Sequence, residues 1–316
     1  MFPRDSPGAS GLAERSMVAA TEFETAGVVV AGRPVIANRV LNAVSIGVPL
    51  AGSLFACLSW LASGRLAPTG TTLAIFLVCF VLELLGLGVG LHRYFTHRAF
   101  RTAPWLRAVL GVLGSSAFQG PIDRWVADHR RHHRFADQPL DPHSPHWIDG
   151  EPPRWKWLGL VHAHLTWMFT CPLSDPDRYA ADIRRDPISR WCSRRYWWLA
   201  GAGLLAPALV GFAAGGAHEA ALGFFWAGCV RVTLLQHLTW SINSLGHSFG
   251  RQVEGARDQS RDITFFSLVL FGEGFHSYHH LHPSAAINQP AQLDLGGLVL
   301  RGLERLGLVW DLRRAD

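Results

Sequence analysis

Three short histidine-rich segments stand out in the sequence, because imidazole is the commonest metal ligand in proteins. They are His92-Arg-Tyr-Phe-Thr-His97, His129-Arg-Arg-His132-His133 and His276-Ser-Tyr-His279-His280. Eight of the sixteen histidines of the chain fall within these sixteen positions. Imidazole binds metal in its neutral form. Ligands at this density predict a metal centre.

The spacing within each segment limits which histidines can share an ion. Residues at i, i+3 and i+4 lie on one face of a helix. The second and third segments have this spacing, so each can point two or three imidazoles at one ion. His92 and His97 are instead about 140° apart around a regular α-helix. They suit two neighbouring ions or a helix end, and they cannot both serve one ion from a regular helix.

Eight ligands exceed what one ion takes, so the segments predict two ions with roughly four to five ligands each. Asn243 and His247 are further candidates, because at i and i+4 they share a helical face. Asn243 would bind directly or hold a water. All-nitrogen sites suit Zn, Cu, Fe or Ni, and the chain has neither an HExxH motif nor a thiolate cluster. A dinuclear centre beside an apolar interior favours iron and oxygen chemistry on a lipid.

The elements that carry these residues are predicted to be membrane helices. Hydrophobic residues make up 49% of the chain and charged residues 17%, against about 25% charged in average soluble proteins. A bilayer core needs about 20 apolar residues in a helix, and four segments qualify, at about 41–61, 71–91, 196–214 and 217–240. The fold class is therefore all-α, a polytopic membrane protein with four transmembrane helices and a cytosolic helical cap that holds the di-metal site. Pro104 to Gln119 is shorter and predicts a re-entrant or interfacial helix.

The arginines indicate orientation, because cytoplasmic loops carry an excess of Lys and Arg. The segment from His92 to Arg195 holds sixteen Lys and Arg residues, and the opposite loops hold only Arg65. Both termini and every histidine segment are thus expected in the cytoplasm, at a bacterial inner membrane. The net charge of +5 is assigned to this orientation and not to nucleic-acid binding. We expect residues 1–38 to form a disordered tail, 39–300 the membrane domain and 301–316 a C-terminal tail.

The three histidine segments, in this order and combined with four spans, resemble the membrane fatty-acyl desaturase superfamily. The flanking residues narrow the resemblance. The segments are Trp125-Val-Ala-Asp128, Asp141-Pro142-His143, Asn243-Ser-Leu-Gly-His247 and Gly272-Glu-Gly-Phe-His276. They are similar to the bacterial form of the acyl-CoA delta-9, stearoyl-CoA type, desaturase branch, over roughly residues 40 to 300.

The resemblance implies a centre of two Fe ions held by nine histidines and by one asparagine that acts through water. Carried onto this sequence, the ligands are His92, His97, His129, His132, His133, His247, His276, His279, His280 and Asn243. Members of the family use O2 and two external electrons to remove two hydrogens from a saturated acyl chain, which leaves a cis double bond. In the family the acyl chain lies in a bent tunnel. Candidates in this chain for the wall or mouth of such a tunnel are Trp125, Trp147, Trp167 and Trp240.

The acyl carrier and the electron donor are less determined. Animal relatives contact CoA through a basic residue, and the corresponding residue in this chain is Ala127. They also use a basic pair, and this chain has no such pair after Trp167. Acyl-CoA remains the expectation and acyl carrier protein (ACP) the alternative, with a basic docking face formed by Arg124, Arg130, Arg131 and Arg134. The chain has no haem-binding His-Pro-Gly-Gly segment. Electrons are therefore expected from a separate ferredoxin, cytochrome b5-like protein or reductase.

Other functions fit the same residues less well. A di-iron lipid hydroxylase or acetylenase would use the same ligands with another substrate pose. A metal transporter would need ionisable ligands inside the spans, where the chain has chiefly Glu83 and Arg231. The segment spacing and the pair Asn243 and His247 favour desaturation.

Overall fold

The computed structural model describes residues 27–29 and 31–315, and helices dominate it. The α-helices are α1 (Arg33–Ser63), α2 (Gly70–Leu84), α3 (Pro104–Ser116), α4 (Ile122–Phe135), α5 (Lys156–Val161), α6 (Trp167–Thr170), α7 (Pro176–Tyr179), α8 (Ala181–Arg185), α9 (Pro187–Arg194), α10 (Tyr196–Leu222), α11 (Arg231–Ser244), α12 (Thr264–Val269), α13 (His276–Leu281) and α14 (Leu295–Arg305). Three π-helical segments adjoin them, namely π1 (Leu85–Thr96), π2 (His162–Thr166) and π3 (Gly223–Val230). Short strands are β1 (Val28–Val29), β2 (Arg101–Thr102), β3 (Leu173–Ser174) and β4 (Val309–Trp310).

Three continuous helices in the described residues are long and apolar enough to cross a membrane, and they are Arg33–Ser63, Gly70–Thr96 and Tyr196–Ser244. Their outward faces carry large apolar side chains such as Leu58 and Leu77, which are 64% and 60% exposed. Water would make this exposure costly, whereas lipid tails would solvate the same surface. The chain is therefore built with a lipid-facing belt.

The third of these helices is bent where the sequence predicts a break between two spans. Gly215 and Gly216 have non-helical backbone angles, and Gly216 has a φ of 73°, a conformation that glycine adopts without a steric penalty. The two arms then fold against each other. A Cβ on Gly211 would collide with the carbonyl oxygen of Glu219, and one on Gly223 with that of Pro207. The two arms contain the segments 196–214 and 217–240 that were predicted as separate spans.

One buried ion pair ties these helices together. Arg231 on α11 is fully buried and pairs with Glu83 on α2. Its guanidinium also donates to the carbonyl oxygens of Gly203, at 2.9 Å, and Ala227. Charged side chains inside apolar helices are tolerated when they find partners. Glu83 and Arg231, the chief ionisable residues that the sequence places in the spans, thus serve packing between helices.

Residues near both ends of the described chain form secondary structure. Residues 33–38 already belong to α1, and β1 pairs antiparallel with β3. Residues 1–26 and residue 30 lie outside the described residues. At the other end, α14 continues past residue 301 and β4 pairs antiparallel with β2. Leu300 and Val309 are buried, so burial of apolar side chains keeps residues 301–315 on the body of the protein.

Candidate metal centre

Nine histidines converge at one end of the long helices and divide into two groups. The five-histidine group contains His92, His97, His129, His133 and His279. The four-histidine group contains His132, His247, His276 and His280. Within each group, one ring nitrogen from every member lies within 4.8 Å of the others. Each group has the number of ligands that one transition-metal ion takes.

A π-helix explains how His92 and His97 reach the same group. The His97 amide donates to the carbonyl oxygen of His92 at 3.2 Å, which is the i to i+5 bond of a π-turn. Residues five apart come close to one another on such a turn, and the two rings are 4.9 Å apart. Of the two arrangements that the sequence offered, two neighbouring ions or a helix end, the structure has the helix end. His97 directly follows π1, and both rings belong to the five-histidine group.

The two helical triplets each supply both groups. On α4, His129 and His133 contribute to the five-histidine group, whereas His132 turns to the other group. On α13, His276 and His280 share the four-histidine group, and His279 turns back to the first. The i, i+4 pairs therefore point together and the i+3 residue points away. Helices α4 and α13 stand between the two centres and hold them together.

The ring nitrogens that face each other indicate that cations belong between them. His132 and His280 both use Nδ1 to contact a carboxylate, at 2.9 Å from Asp141 and 2.6 Å from Asp258. An Nδ1 that donates to a carboxylate leaves Nε2 as a bare lone pair in the neutral ring. Yet the two Nε2 atoms lie 3.2 Å apart. Two lone pairs at this distance repel, and a shared metal ion removes the repulsion, so the donor set fits a metal.

Burial keeps the imidazoles neutral, which is the form that binds metal. The pKa values of six ring systems on α4 and α13 lie well below the ordinary 6.5, first because burial disfavours the charged form and second because neighbouring imidazoles would repel it. These are the rings of His129, His132, His133, His276, His279 and His280. At neutral pH the rings are therefore uncharged, which is the form that binds metal.

His247 differs from the other ligands of its group. Burial lowers its pKa, but the charge and hydrogen bond of Asp137 outweigh burial, so the net pKa is raised. The pKa of Asp137 falls to about 2 because the His247 interaction outweighs its own burial. The Nδ1 atom of His247 lies 2.8 Å from Asp137 Oδ2. This contact fixes the ring so that Nε2 points towards His276, at 2.9 Å.

Four carboxylates orient the histidines. Asp141 and Glu273 lie in segments that carry the family resemblance, but the sequence predicted no role for any of the four. Asp137, Asp141 and Asp258 contact the Nδ1 atoms of His247, His132 and His280. Glu273 pairs with His92 and also with Arg93. Carboxylates behind metal-binding histidines fix the ring orientation and raise its basicity. One sequence signal was present, because Glu273 precedes His276 by three residues in a chain that is poor in charge.

Two adjoining cavities reach the histidines. Cavity A, of about 90 Å³, is lined by Asn38, Leu41, Trp125, Trp167 and Trp240, among others. Cavity B, of about 60 Å³, is lined by Leu84, Leu87, His92, Ile242 and His276, among others. Four residues line both cavities, and they are Trp125, His129, Thr239 and Asn243. The apolar residues in both linings suit contact with part of an acyl chain beside the histidines.

The predicted tunnel residues separate into two sets. Trp125, Trp167 and Trp240 line cavity A, and the Trp125 ring stacks on His129 with centroids 4.9 Å apart. Trp147 instead donates from Nε1 to the carbonyl oxygen of Asp137 at 2.8 Å. Trp147 therefore stabilises the loop whose Asp137 contacts His247. It does not line cavity A or cavity B. Asn243 stands where the cavities meet, beside His129 and His276.

The arginines predicted as a docking face do not form one surface. Arg131 is 2% exposed and donates to the carbonyl oxygens of Leu140 and Pro172. Arg130 pairs with Asp182 and donates to the carbonyl oxygen of Thr96. These guanidinium groups already bind partners within the fold. The prediction that Arg130 and Arg131 are docking residues is therefore wrong, and both are structural residues.

The remaining two arginines have different surroundings. Arg134 is exposed beside the ring of Phe135. Arg124 donates to the carbonyl oxygen of Ser174 at 3.0 Å and also lines cavity A. Arg124 is therefore the one of the four predicted docking arginines that borders a cavity.

Comparisons with known proteins identify the relatives of this arrangement. Residues 68–294 match the family model described as fatty acid desaturase. The chain is 40% identical to the Hex-5-enoyl-(acyl-carrier protein) acetylenase of Moorena producens, over 73% of this chain and 74% of that protein. It is 33% identical to the sn-1 stearoyl-lipid 9-desaturase of Synechocystis sp., over 75% of this chain and 70% of that protein. It is 30% identical to stearoyl-CoA desaturase 5 of Homo sapiens, over 65% of this chain and 60% of that protein.

Proposed function

Because the chain belongs to the fatty acid desaturase family and is thus an oxidoreductase of fatty acyl chains, we propose that it introduces a cis double bond at carbon 9 of a saturated acyl thioester. The observation that carries the proposal is the pair of histidine groups beside two adjoining, partly apolar cavities. The overall reaction consumes O2, two protons and two external electrons, and it yields the alkene and two waters.

The nine histidines would hold two iron ions, and Asn243 would contribute through a water. When bound, the iron pair would supply the oxidising power that removal of hydrogen from an unactivated methylene requires. Trp125 and Asn243 stand where cavities A and B meet. They would therefore fix which pair of methylene groups faces the histidines, since proximity and orientation determine where such a reaction occurs.

The membrane arrangement follows from the bend at Gly215 and Gly216. We propose four spans, formed by the first two candidate helices and by the two arms of the third. The arginine-rich segment before Arg195 then lies in the cytoplasm, together with both termini and the histidine groups. At a bacterial inner membrane, this side gives access to soluble acyl carriers and to a separate electron donor such as a ferredoxin or a cytochrome b5-like protein.

The proposal is tested by mass spectrometry of the lipids of an expressing host. We expect new cis unsaturation at carbon 9, absent when His133→Ala is expressed to the same level. His133 contacts both His129 and His279 at 3.0 Å, so its loss opens the five-histidine group. An unchanged lipid profile with correctly inserted, iron-loaded protein would reject desaturation. Hydroxylated chains in place of alkenes would reassign the reaction.

A second candidate is an acetylenase, which removes two hydrogens from an existing double bond. The specific observation in its favour is the 40% identity to a relative named as an acetylenase that acts on an acyl-carrier-protein substrate. The same lipid experiment distinguishes the two reactions. An alkyne whose formation depends on a supplied unsaturated chain would favour the acetylenase.

A further inference from the structure

A surface groove of about 580 Å³ adjoins cavity A. Its walls come from the start of α1, the start of α4 and the short helices α7 to α9. Three residues line both the groove and the cavity, and they are Asn38, Leu41 and Arg124. The groove therefore borders cavity A, whose lining includes His129. A molecule lying in the groove could pass an attached chain directly into cavity A.

The groove carries an excess of positive charge. Four arginines and one carboxylate line it, and they are Arg124, Arg184, Arg190, Arg194 and Asp123. Arg184 is paired with the exposed Asp177 at 2.7 Å. Arg190 and Arg194 are exposed at i and i+4 on α9, so they share a face. Among the described residues, neither forms an ion pair. Two uncommitted guanidinium groups on one wall predict an anionic ligand.

The basic surface extends beyond the groove. Between residues 176 and 195 the chain has six exposed arginines, and they are Arg178, Arg184, Arg185, Arg190, Arg194 and Arg195. The same stretch has three aspartates. Asp182 is engaged by Arg130, and Asp186 is engaged by Arg107 at 2.9 Å. Six exposed arginines in one short stretch are more than a single phosphate group needs, and a surface rich in arginine is complementary to an acidic protein.

We propose that this groove and the surrounding arginines dock an acidic acyl carrier protein, with the phosphate of its pantetheine arm between Arg190 and Arg194 and the acyl chain in cavity A. The inference rests on the proposed function for the acyl chain itself. CoA carries the same phosphopantetheine group, so the groove could also accept its phosphate. The breadth of the arginine face favours the protein carrier. Charge complementarity of this kind raises the association rate and weakens with salt.

The test compares two carriers and two matched double variants. Purified protein in nanodiscs of neutral lipid is assayed with stearoyl-loaded ACP, made with the carrier protein of the expression host, and with stearoyl-CoA. In Arg190→Ala/Arg194→Ala we expect the KM for the loaded carrier protein to rise about tenfold, with kcat within twofold of wild type. The control is Arg301→Ala/Arg305→Ala, which removes two exposed arginines at the same spacing from α14. Its KM should stay within twofold.

Binding without turnover separates this inference from the proposed function. Unacylated holo carrier protein should bind wild type and the α14 variant alike, bind the α9 variant about tenfold more weakly, and lose affinity as salt rises. This result would stand even if no alkene formed. Equal losses in both double variants would overturn the proposal in favour of a general charge effect. A KM increase confined to stearoyl-CoA would assign the groove to the nucleotide. An effect seen only on binding to anionic vesicles would assign it to lipid headgroups.

Discussion

The two histidine groups lie side by side but are held in different ways. In the four-histidine group, three of four rings are fixed by aspartates at Nδ1, and these are Asp137, Asp141 and Asp258. In the five-histidine group, Glu273 is the carboxylate that contacts a ring, within the described residues. His279 of that group has a buried Nδ1 with no hydrogen-bond partner in the described part of the chain. One group depends on hydrogen bonds and the other on packing of rings and helices.

The difference follows from where the ligands lie in the chain. The five-histidine group is built from π1, α4 and α13, and its rings contact one another and Trp125. The four-histidine group includes His247, which follows the end of α11, and its aspartates lie outside the helices. A side chain carried by a loop is less fixed than one on a packed helix. At His247 the contact with Asp137 supplies the constraint that a helix supplies elsewhere, whereas His132 and His280 have both a helix and a carboxylate. The two groups should therefore differ in their sensitivity to mutation.

The largest effects are expected from removal of one ligand in each group. His279→Ala should abolish metal binding in the five-histidine group, and His132→Ala should abolish it in the four-histidine group, because each ring lies within 4.8 Å of its partners. Both should reduce turnover to background, since the reaction needs both ions. Elemental analysis should show iron falling from about two to about one per chain. His218→Ala, at an exposed residue outside both groups, is the control. Full iron content in either ligand variant would contradict the assignment.

Removal of Arg93 should weaken the five-histidine group indirectly. Arg93 is the cation that pairs with Glu273, the carboxylate that contacts His92. Arg93 is 1% exposed and donates to Glu273 and to Asp294 at 3.0 Å. Arg93→Met would leave both carboxylates buried without their cation, at a cost of about 3–5 kcal/mol. We expect a lower unfolding temperature and earlier loss of the ion from the five-histidine group. Arg93→Lys, which keeps the charge, should recover part of the stability. Equal stability of the Met variant and wild type would rule out this role.

A smaller effect is expected where a carboxylate alone is neutralised. Asp258→Asn keeps the shape but weakens the contact to His280, and such changes typically cost 10–100-fold in metal affinity. The loss should be confined to the four-histidine group, which chelator competition followed by elemental analysis can resolve as one of two ions. Glu254→Gln, on the same loop and exposed, is the matched control. If Asp258→Asn releases both ions together, the two groups are not independent.

Much of the site was predictable because it depends on local spacing. The i, i+4 relation pairs His129 with His133 and His276 with His280 whatever the rest of the fold does. The break at Gly215 and Gly216 was likewise visible as a helix interruption.

The partners of these residues were not predictable in the same way. Asp137 contacts His247, which is 110 residues away in the chain, and Asp258 contacts His280 only because a loop folds over α13. No periodicity in the sequence encodes such contacts. For the same reason the arginines next to His129 were predicted to face a carrier, when Arg130 and Arg131 hold backbone carbonyls.

The smallest expected effect comes from an ion pair on α4. Because α4 carries histidines of both groups, weakening this pair should not affect one group more than the other. Asp182 binds Arg130 on α4 and the exposed Arg98. Although partial burial acts in the opposite direction, the two arginines lower the pKa of Asp182 from 3.8 to about 2. The pair is partly solvated, so Asp182→Asn should lower stability by at most about 1 kcal/mol at neutral pH. Because the folded pKa is depressed, this contribution is present above about pH 4 and is lost as the pH falls towards 2. Thermal unfolding of wild type and variant should therefore converge in acid, and both ions should be retained alike. A variant that lost one ion selectively would show that α4 is coupled more tightly to one group than to the other.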